Sequence, residues 1–475
     1  MKKSTELDRL TTIWTSQYHF KNLKSNNYPV NSRSGKTFPY IFIDLNFLTY
    51  LGSTHIPSEA LVFKDRGKKF EWLPLNTVYV EGANYDKQHA NIRKFLSHVQ
   101  NDLNNPDKSA FLSKLCDTLN SLKYVSAESM NYSDEAQYSV GSGEWLVKGK
   151  IIEEFMFEMY WQLLNESKMS KNIVCVQDKR LGEHLTTSRS AYKYEYNLFG
   201  VNNGKSILYV IPRANGMKYN MDEIPFYIEG VTAALMNYDI QEIRFRSLIS
   251  PKVIQFIKTS SSSENENVRT ENASFKFNLD SNIVTAFIKE NLSGQFSTIV
   301  RPLYLKNEID STVNPIYFKK CTDKPNARNI SIVKSSSSNS FPFKNSFVCS
   351  EKIDFSNKNE ISLKDWFSFT FNKKLISEKP NFDYYFDFEY TDIYNYMIEF
   401  NRPADITNID AFSKSIHNSY FDVASKLTKQ TETTYLLSVS IKVKEPVLAQ
   451  ADGQLLLDFV NDLDNINNMT IQIKK

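Results

Sequence analysis

The first strong apolar burst runs through Tyr40, Ile41, Phe42 and Ile43 and stops at Asp44, the pattern of a short buried strand. Leu45, Asn46, Phe47 and Leu48 follow it directly. Residues 86–103 and 109–122 carry apolar positions at helical spacing; the second stretch brings Phe111, Leu112, Leu115 and Leu119 to one face. Asn104, Asn105, Pro106 and Asp107 break the two apart. After a polar loop at 126–143, the spacing of Ile151, Ile152, Phe155, Met156, Met159 and Leu163 predicts one long helix over 145–164. Strands are expected at 173–176 and 206–211, with a short helix at 179–185 between them. This alternation of helix and strand predicts an α/β layer with a parallel sheet.

Past residue 213 the pattern changes. The spacing predicts a helix over 225–238 and the end of another at 253–258. Ser260 to Ser263, followed by Glu264, Asn265, Glu266 and Asn267, reads as a flexible linker, and 335–340 is a second polar run. The last part of the chain alternates at 366–371, 384–390 and 437–443, which predicts strands, with a helix over 409–426 between them. The fold class expected is therefore α+β: an N-terminal α/β domain with a parallel sheet, then a C-terminal domain with an antiparallel sheet and helices. The boundaries expected are a polar extension at 1–37 with a short helix near 10–20, an α/β domain at 38–215, a helical connection and Ser-rich linker at 216–272, and a strand-rich domain at 273–475.

Composition narrows this only in places. The 475 residues exceed one ordinary core, and 41% hydrophobic content supplies folded cores rather than disorder. Gly (14) and Pro (15) are too scarce for an all-β shell built on many tight turns. The net charge of +3 is the remainder of 57 basic and 54 acidic residues, so it neither demands nor forbids a nucleic-acid partner. Cys116, Cys175, Cys321 and Cys349 form no CxxC pair, and the apolar run around Cys175 suits a buried, inert thiol. His19, His55, His89, His98, His184 and His417 show no zinc-ligand spacing. Glu6 and Asp8 interrupt the place where a signal peptide would turn apolar, and no apolar run approaches the roughly 18 residues of a membrane span. A cytoplasmic protein is expected, particle-associated if it belongs to a phage, with no membrane partner.

Chemistry gathers at two strand ends. Asp44 follows the first buried strand, and Asp178 follows 173–176 by two positions, with Lys179 and Arg180 after it. Glu153 and Glu154 lie near the start of the apolar stretch between them. In an open parallel sheet that edge is where ligands bind. Acids converging there would suit Mg²⁺ or Mn²⁺, which favour oxygen ligands and activate a bound water against a phosphodiester. The phrases Asp44-Leu45-Asn46-Phe47-Leu48, Glu154 with its helix, and Asp178-Lys179-Arg180-Leu181 resemble, in order and spacing, those of PIN-domain nucleases over about 38–215. The resemblance implies a metal-dependent nuclease on RNA or single-stranded DNA. Asp44, Glu154 and Asp178 would be its catalytic and metal-holding acids, with Asn46 orienting Asp44. Leu45 replaces a usual hydroxyl residue, Glu154 a usual aspartate, and the mid-domain acid has only Glu128, Glu135 or Glu144 to fill it.

The same aspartates equally suit helix caps or turns, and Glu153 and Glu154 suit a helix dipole. That reading leads to a second class of function: a non-enzymatic assembly subunit of a phage particle or a multisubunit bacterial complex, binding protein partners through its C-terminal sheet. Gly35-Lys36-Thr37 and Gly204-Lys205-Ser206 imitate the end of a phosphate-binding loop but lack the upstream glycine at the right distance. The aromatic stripe at 384–390 is expected to pack in the core rather than stack on bases.

Overall fold

A computed structural model describes residues 2–5, 12–15, 79–80, 85–101, 107–125, 142–152, 156–181, 196–212, 218–243, 246–305, 327–331, 343–352 and most of 359–474. Asp44, Asn46 and Glu154 lie outside the described residues. Near the N-terminus, Lys2–Thr5 pairs antiparallel with Thr12–Thr15, so part of the expected short helix at 10–20 is strand.

The first layered unit opens with helices α1 (Tyr85–Asn101) and α2 (Lys108–Ser121). Asp107 caps α2, its side chain accepting from the N–H of Ala110 at 2.7 Å. Then come β1 (Lys123–Val125), α3 (Ser142–Val147), β2 (Lys150–Ile152) and α4 (Met156–Glu166). The single helix expected over 145–164 is thus split. Gly149 adopts φ +69, its N–H bonds to Leu146 O at 3.0 Å, and the chain turns back into β2. A left-handed residue after the last helical turn favours glycine and ends the helix.

Strands β3 (Lys171–Val176), β4 (Tyr196–Asn202), β5 (Ile207–Val210), β6 (Thr232–Ile243) and β7 (Arg246–Lys258) build a sheet with Tyr79–Val80. Its order is Tyr79–Val80, β7, β6, β3, β4, β5, and every ladder is antiparallel. The α+β class holds, but the parallel sheet expected for 38–215 is corrected here. A parallel pair does form in that region, between β1 and β2. Over β3, β4, β5 and the first half of β6, both faces of the sheet are buried. Ile173, Cys175, Phe199 and Ala234 pack under the helices, while Val174, Leu198, Ala233 and Leu235 face Tyr209, Ile224 and Ile228. A strand covered on both sides carries an unbroken apolar run, which hides its period of two. The helices expected at 225–238 and 253–258 are strands β6 and β7 after a single 3₁₀ turn at Phe226–Ile228, and in β6 the buried run Ala233, Ala234, Leu235 and Met236 leaves no period of two to read.

The second unit contains β8 (Val268–Asn278), β9 (Ile283–Leu292), α5 (Gly294–Leu305), β10 (Ala327–Ser331), β11 (Phe343–Lys352), β12 (Tyr390–Phe400), β13 (Lys414–His417), β14 (Phe421–Lys429), β15 (Thr434–Val443), α6 (Gly453–Asn467) and β16 (Thr470–Lys474). Eight strands pair in the order β10, β11, β9, β8, β12, β15, β14, β13. All these ladders are antiparallel except β8 with β12. One face alternates into the core, where Phe459 of α6 stacks on Phe421 with centroids 4.1 Å apart. Of the strand expected at 366–371, the described residues Trp366, Phe367 and Phe369 lie in no strand; Trp366 stacks on Phe275 at 4.0 Å and Phe367 on Tyr396 at 5.0 Å. The helix expected over 409–426 becomes a 3₁₀ turn, β13 and β14, because Phe421, Val423, Ser425 and Leu427 are buried in strict alternation.

The serine run joins the two sheets and is densely bonded. Thr259 Oγ1 donates to Ile228 O at 2.8 Å, and Ser262 N donates to Glu229 Oε1 at 3.0 Å. Asn267 Nδ2 donates to Ser262 Oγ and to Glu389 O, each at 2.8 Å. The flexible linker is therefore corrected to a fixed crossover, and the boundary expected at 272 falls inside β8.

Candidate functional site

Of the four residues singled out in the sequence, Asp178 is the one within the described residues. It sits just beyond β3, with a side chain 4% exposed. Oδ1 accepts from the backbone N–H of Arg180 at 2.8 Å and from its Nε at 2.9 Å; Oδ2 accepts from Nε at 3.0 Å and Nη2 at 2.5 Å. Both carboxylate oxygens are thus occupied by the residue two positions on. The Asp178 carboxylate raises the pKa of the Arg180 guanidinium, fixing its charge. That guanidinium also lies over Tyr227 at 5.0 Å and Phe226 at 5.6 Å from the ring centroids.

The same turn touches the second unit. Lys179 Nζ donates to Asp387 O at 2.6 Å, and Phe226 packs on Phe388 with centroids 5.8 Å apart. Nearby, Gln295 Nε2 donates to Ile224 O at 2.8 Å. Burial pushes the Glu229 carboxyl up, while Ser262, Gln295 and the charge of Lys179 oppose the rise. The turn after β3 therefore works as a joint between the sheets. To ligate a cation there, Asp178 would have to release Arg180, which charge-assisted bonds resist by about 1.5–3 kcal/mol each.

Sequence reasoning missed a second polar cluster, inside the eight-stranded sheet. Arg269 stands opposite Asp392 on the β8–β12 ladder, and Glu271 stands opposite Tyr394 there and opposite Glu290 on the β8–β9 ladder. All five are buried, as is Tyr396. Arg269 Nη2 donates to Asp392 Oδ2 at 2.8 Å and also bonds the Tyr394 hydroxyl. The Tyr396 hydroxyl donates to Glu271 Oε1 at 2.5 Å and bonds Trp366 O at 2.9 Å. Burial raises the pKa of both tyrosines well above the usual phenol value, so both stay neutral, Tyr394 accepting from Arg269 and Tyr396 donating to Glu271. One signal could have revealed the cluster. Arg269 and Glu271 share the parity of Ala273, Phe275 and Phe277 along β8, so charges occupy positions of the apolar face.

Among the described residues, no three His, Cys, Asp or Glu side chains gather as a metal-binding group. Cys175 is buried as expected, its thiol donating to Asn197 Oδ1 at 2.8 Å, and burial pushes the Cys116 thiol up to about 12. No helix among the described residues is long and apolar enough to cross a membrane.

No family model matches the chain, and no curated protein does. Among solved structures, a “putative protease” from Parabacteroides distasonis is similar over 83% of this chain, at 10% identity and a TM-score of 0.41. The chain spans 56% of that protein's length. A likeness at that level places neither the fold nor the chemistry of this protein.

Proposed function

We propose that this chain is a non-enzymatic assembly subunit that binds protein partners by strand pairing, as in a phage particle or a multisubunit bacterial complex. The observation that carries the reading is the outer edge of β7. Among the described residues, that edge pairs with Tyr79–Val80 at Arg246 and Ser247 and with nothing further along. A bulge between Val253 and Gln255 follows, where Ile254 is 52% and Phe256 42% exposed. An apolar edge with open backbone donors and acceptors is a template for another strand. The occupied carboxylate of Asp178 supports the same reading, since a turn-fixing aspartate needs no metal.

The competing reading keeps Asp44, Glu154 and Asp178 as a Mg²⁺ or Mn²⁺ site, with Asn46 behind Asp44, cutting RNA or single-stranded DNA. One experiment separates the two. The full chain and its Asp178→Asn variant are incubated with labelled RNA and single-stranded DNA in Mn²⁺, and their thermal unfolding is recorded in parallel. The assembly reading expects no cleavage from either protein and a variant destabilised by about 1–3 kcal/mol, because Arg180 loses a charged acceptor. Metal-dependent cleavage that disappears in a variant of unchanged stability would replace this proposal with the nuclease.

A further inference from the structure

We infer, resting on the assembly reading, that the strand recruited by the edge of β7 is β7 of a second copy of this chain, paired antiparallel about a twofold axis at Ile257. The open stretch can be placed residue by residue. Thr259 N–H donates to Val231 O at 2.9 Å, so the backbone of Thr259 turns towards the strand beside it. Backbone direction alternates along an antiparallel ladder. Ile257 therefore bonds to β6, opposite Ala233, while the N–H and C=O of Phe256 and Lys258 point outward. Among the described residues nothing pairs with the outer edge there. Ile254, Gln255, Phe256 and Lys258 are exposed, and Ile257 is half-buried.

The two faces of this stretch differ. Ile257 packs against the core that holds Val174, Ala233 and Leu235. Phe256 stands opposite Ala234, which packs under the helices, yet Phe256 is itself 42% exposed. The helix layer thus stops short of β7 and leaves an apolar ledge, lengthened by Ile254. Upstream, Pro251 lacks an N–H, and the bulge between Val253 and Gln255 breaks the regular ladder. Both features confine strand addition to the stretch around Ile257.

An antiparallel pair of identical strands is symmetric about a twofold axis, so this edge fits its own copy without any second surface. With Ile257 on the axis, Phe256 lies directly opposite Lys258 of the copy, and Lys258 opposite the copy's Phe256. Both residues present N–H and C=O outward, so each such pair exchanges both backbone hydrogen bonds. The register also sets a lysine ammonium beside an aromatic ring at each pair and places no two like charges directly opposite. The two Phe256 rings, diagonal to each other, cover the ledge on both copies. So short a ladder buries far less than the roughly 1,200 Å² of a stable interface, and the dimer is therefore weak and forms at high concentration.

The test is amide hydrogen exchange on the full chain at about 5 µM and about 500 µM, read at single residues, with sedimentation velocity at both concentrations. The chain is expected to be monomeric at the lower concentration and partly dimeric at the higher. There the amides of Phe256 and Lys258 should exchange several-fold more slowly, while that of Ile257, already bonded to β6, should not change. Phe256→Pro removes an outward donor and leaves the β6 ladder intact, so this variant should stay folded and monomeric at both concentrations. A wild-type monomer at the higher concentration overturns the inference. A dimer whose Phe256 and Lys258 amides exchange as fast as in the monomer does so as well, and so does a Phe256→Pro chain that dimerises like wild type. The nuclease assay decides the assembly reading separately, so a monomer that cuts nothing refutes self-pairing alone.

Discussion

Arg269 and Asp392 meet across the parallel β8–β12 ladder almost wholly out of water, with side chains 2% and 0% exposed. Desolvating two charges is expensive, and their attraction repays the cost only while both are present. Removing one strands the other. Arg269→Met is therefore expected to cost about 3–5 kcal/mol in urea unfolding, whereas adding Asp392→Leu to it should recover a large part of that loss. A double variant as unstable as the single one would show that the pair does not act as a unit. The pair also bears on register. A one-residue slip would turn Arg269 to the open face and leave Asp392 facing the core alone. At this scale the sequence was legible for Cys175 and for the turn-fixing option at Asp178. It was opaque for Arg269 and Glu271, because strand partners over 120 positions away supply their bonds.

Elements with exposed faces or local caps could be read directly, as α1, α2 and β15 were. Elements buried on both faces or ended by a single left-handed residue could not, which accounts for β6 and the break at Gly149. Gly294 shows how tightly one residue can govern an element. It begins α5 at φ +54, and a Cβ there would lie 2.3 Å from Asn267 Oδ1 and 2.6 Å from Glu266 O. The same Asn267 oxygen accepts from Gln295 N at 2.8 Å, tying the helix start to the crossover. Gly294→Ala should thus cost at least about 2 kcal/mol, measured by thermal or urea unfolding. Gly204, at φ +92 with nothing within 4 Å of the place a Cβ would take, provides the contrast. Gly204→Ala should cost only the backbone penalty of about 1–2 kcal/mol.

At the level of the whole molecule, two sheets are tied by the Thr259–Asn267 crossover and by the turn carrying Asp178, Lys179 and Arg180. That coupling leaves the apolar edge of β7 on a fixed frame rather than on a loose arm. If the edge recruits strands, replacing Ile254 and Phe256 together by Lys should lower the melting temperature only modestly, since the two side chains are already 52% and 42% exposed. The same change should reduce association of the purified chain at high concentration, read by light scattering, because charge on an edge strand opposes pairing. Equal scattering from wild type and variant would remove the support that β7 gives to the assembly reading.

The sequence by itself determined the α+β class, the amphipathic helices α1 and α2, the buried thiol of Cys175 and the strand that delivers Asp178. Each rests on a local pattern: a period of residues, an apolar run, a cap. Only the tertiary structure decided the antiparallel order of the first sheet, the fixed geometry of the serine run, the burial of Arg269, Glu271 and Asp392, and the partner of Asp178. Those depend on which strand lies beside which, and pairing between distant segments is set by shared burial and backbone hydrogen bonds that no local stretch of sequence displays.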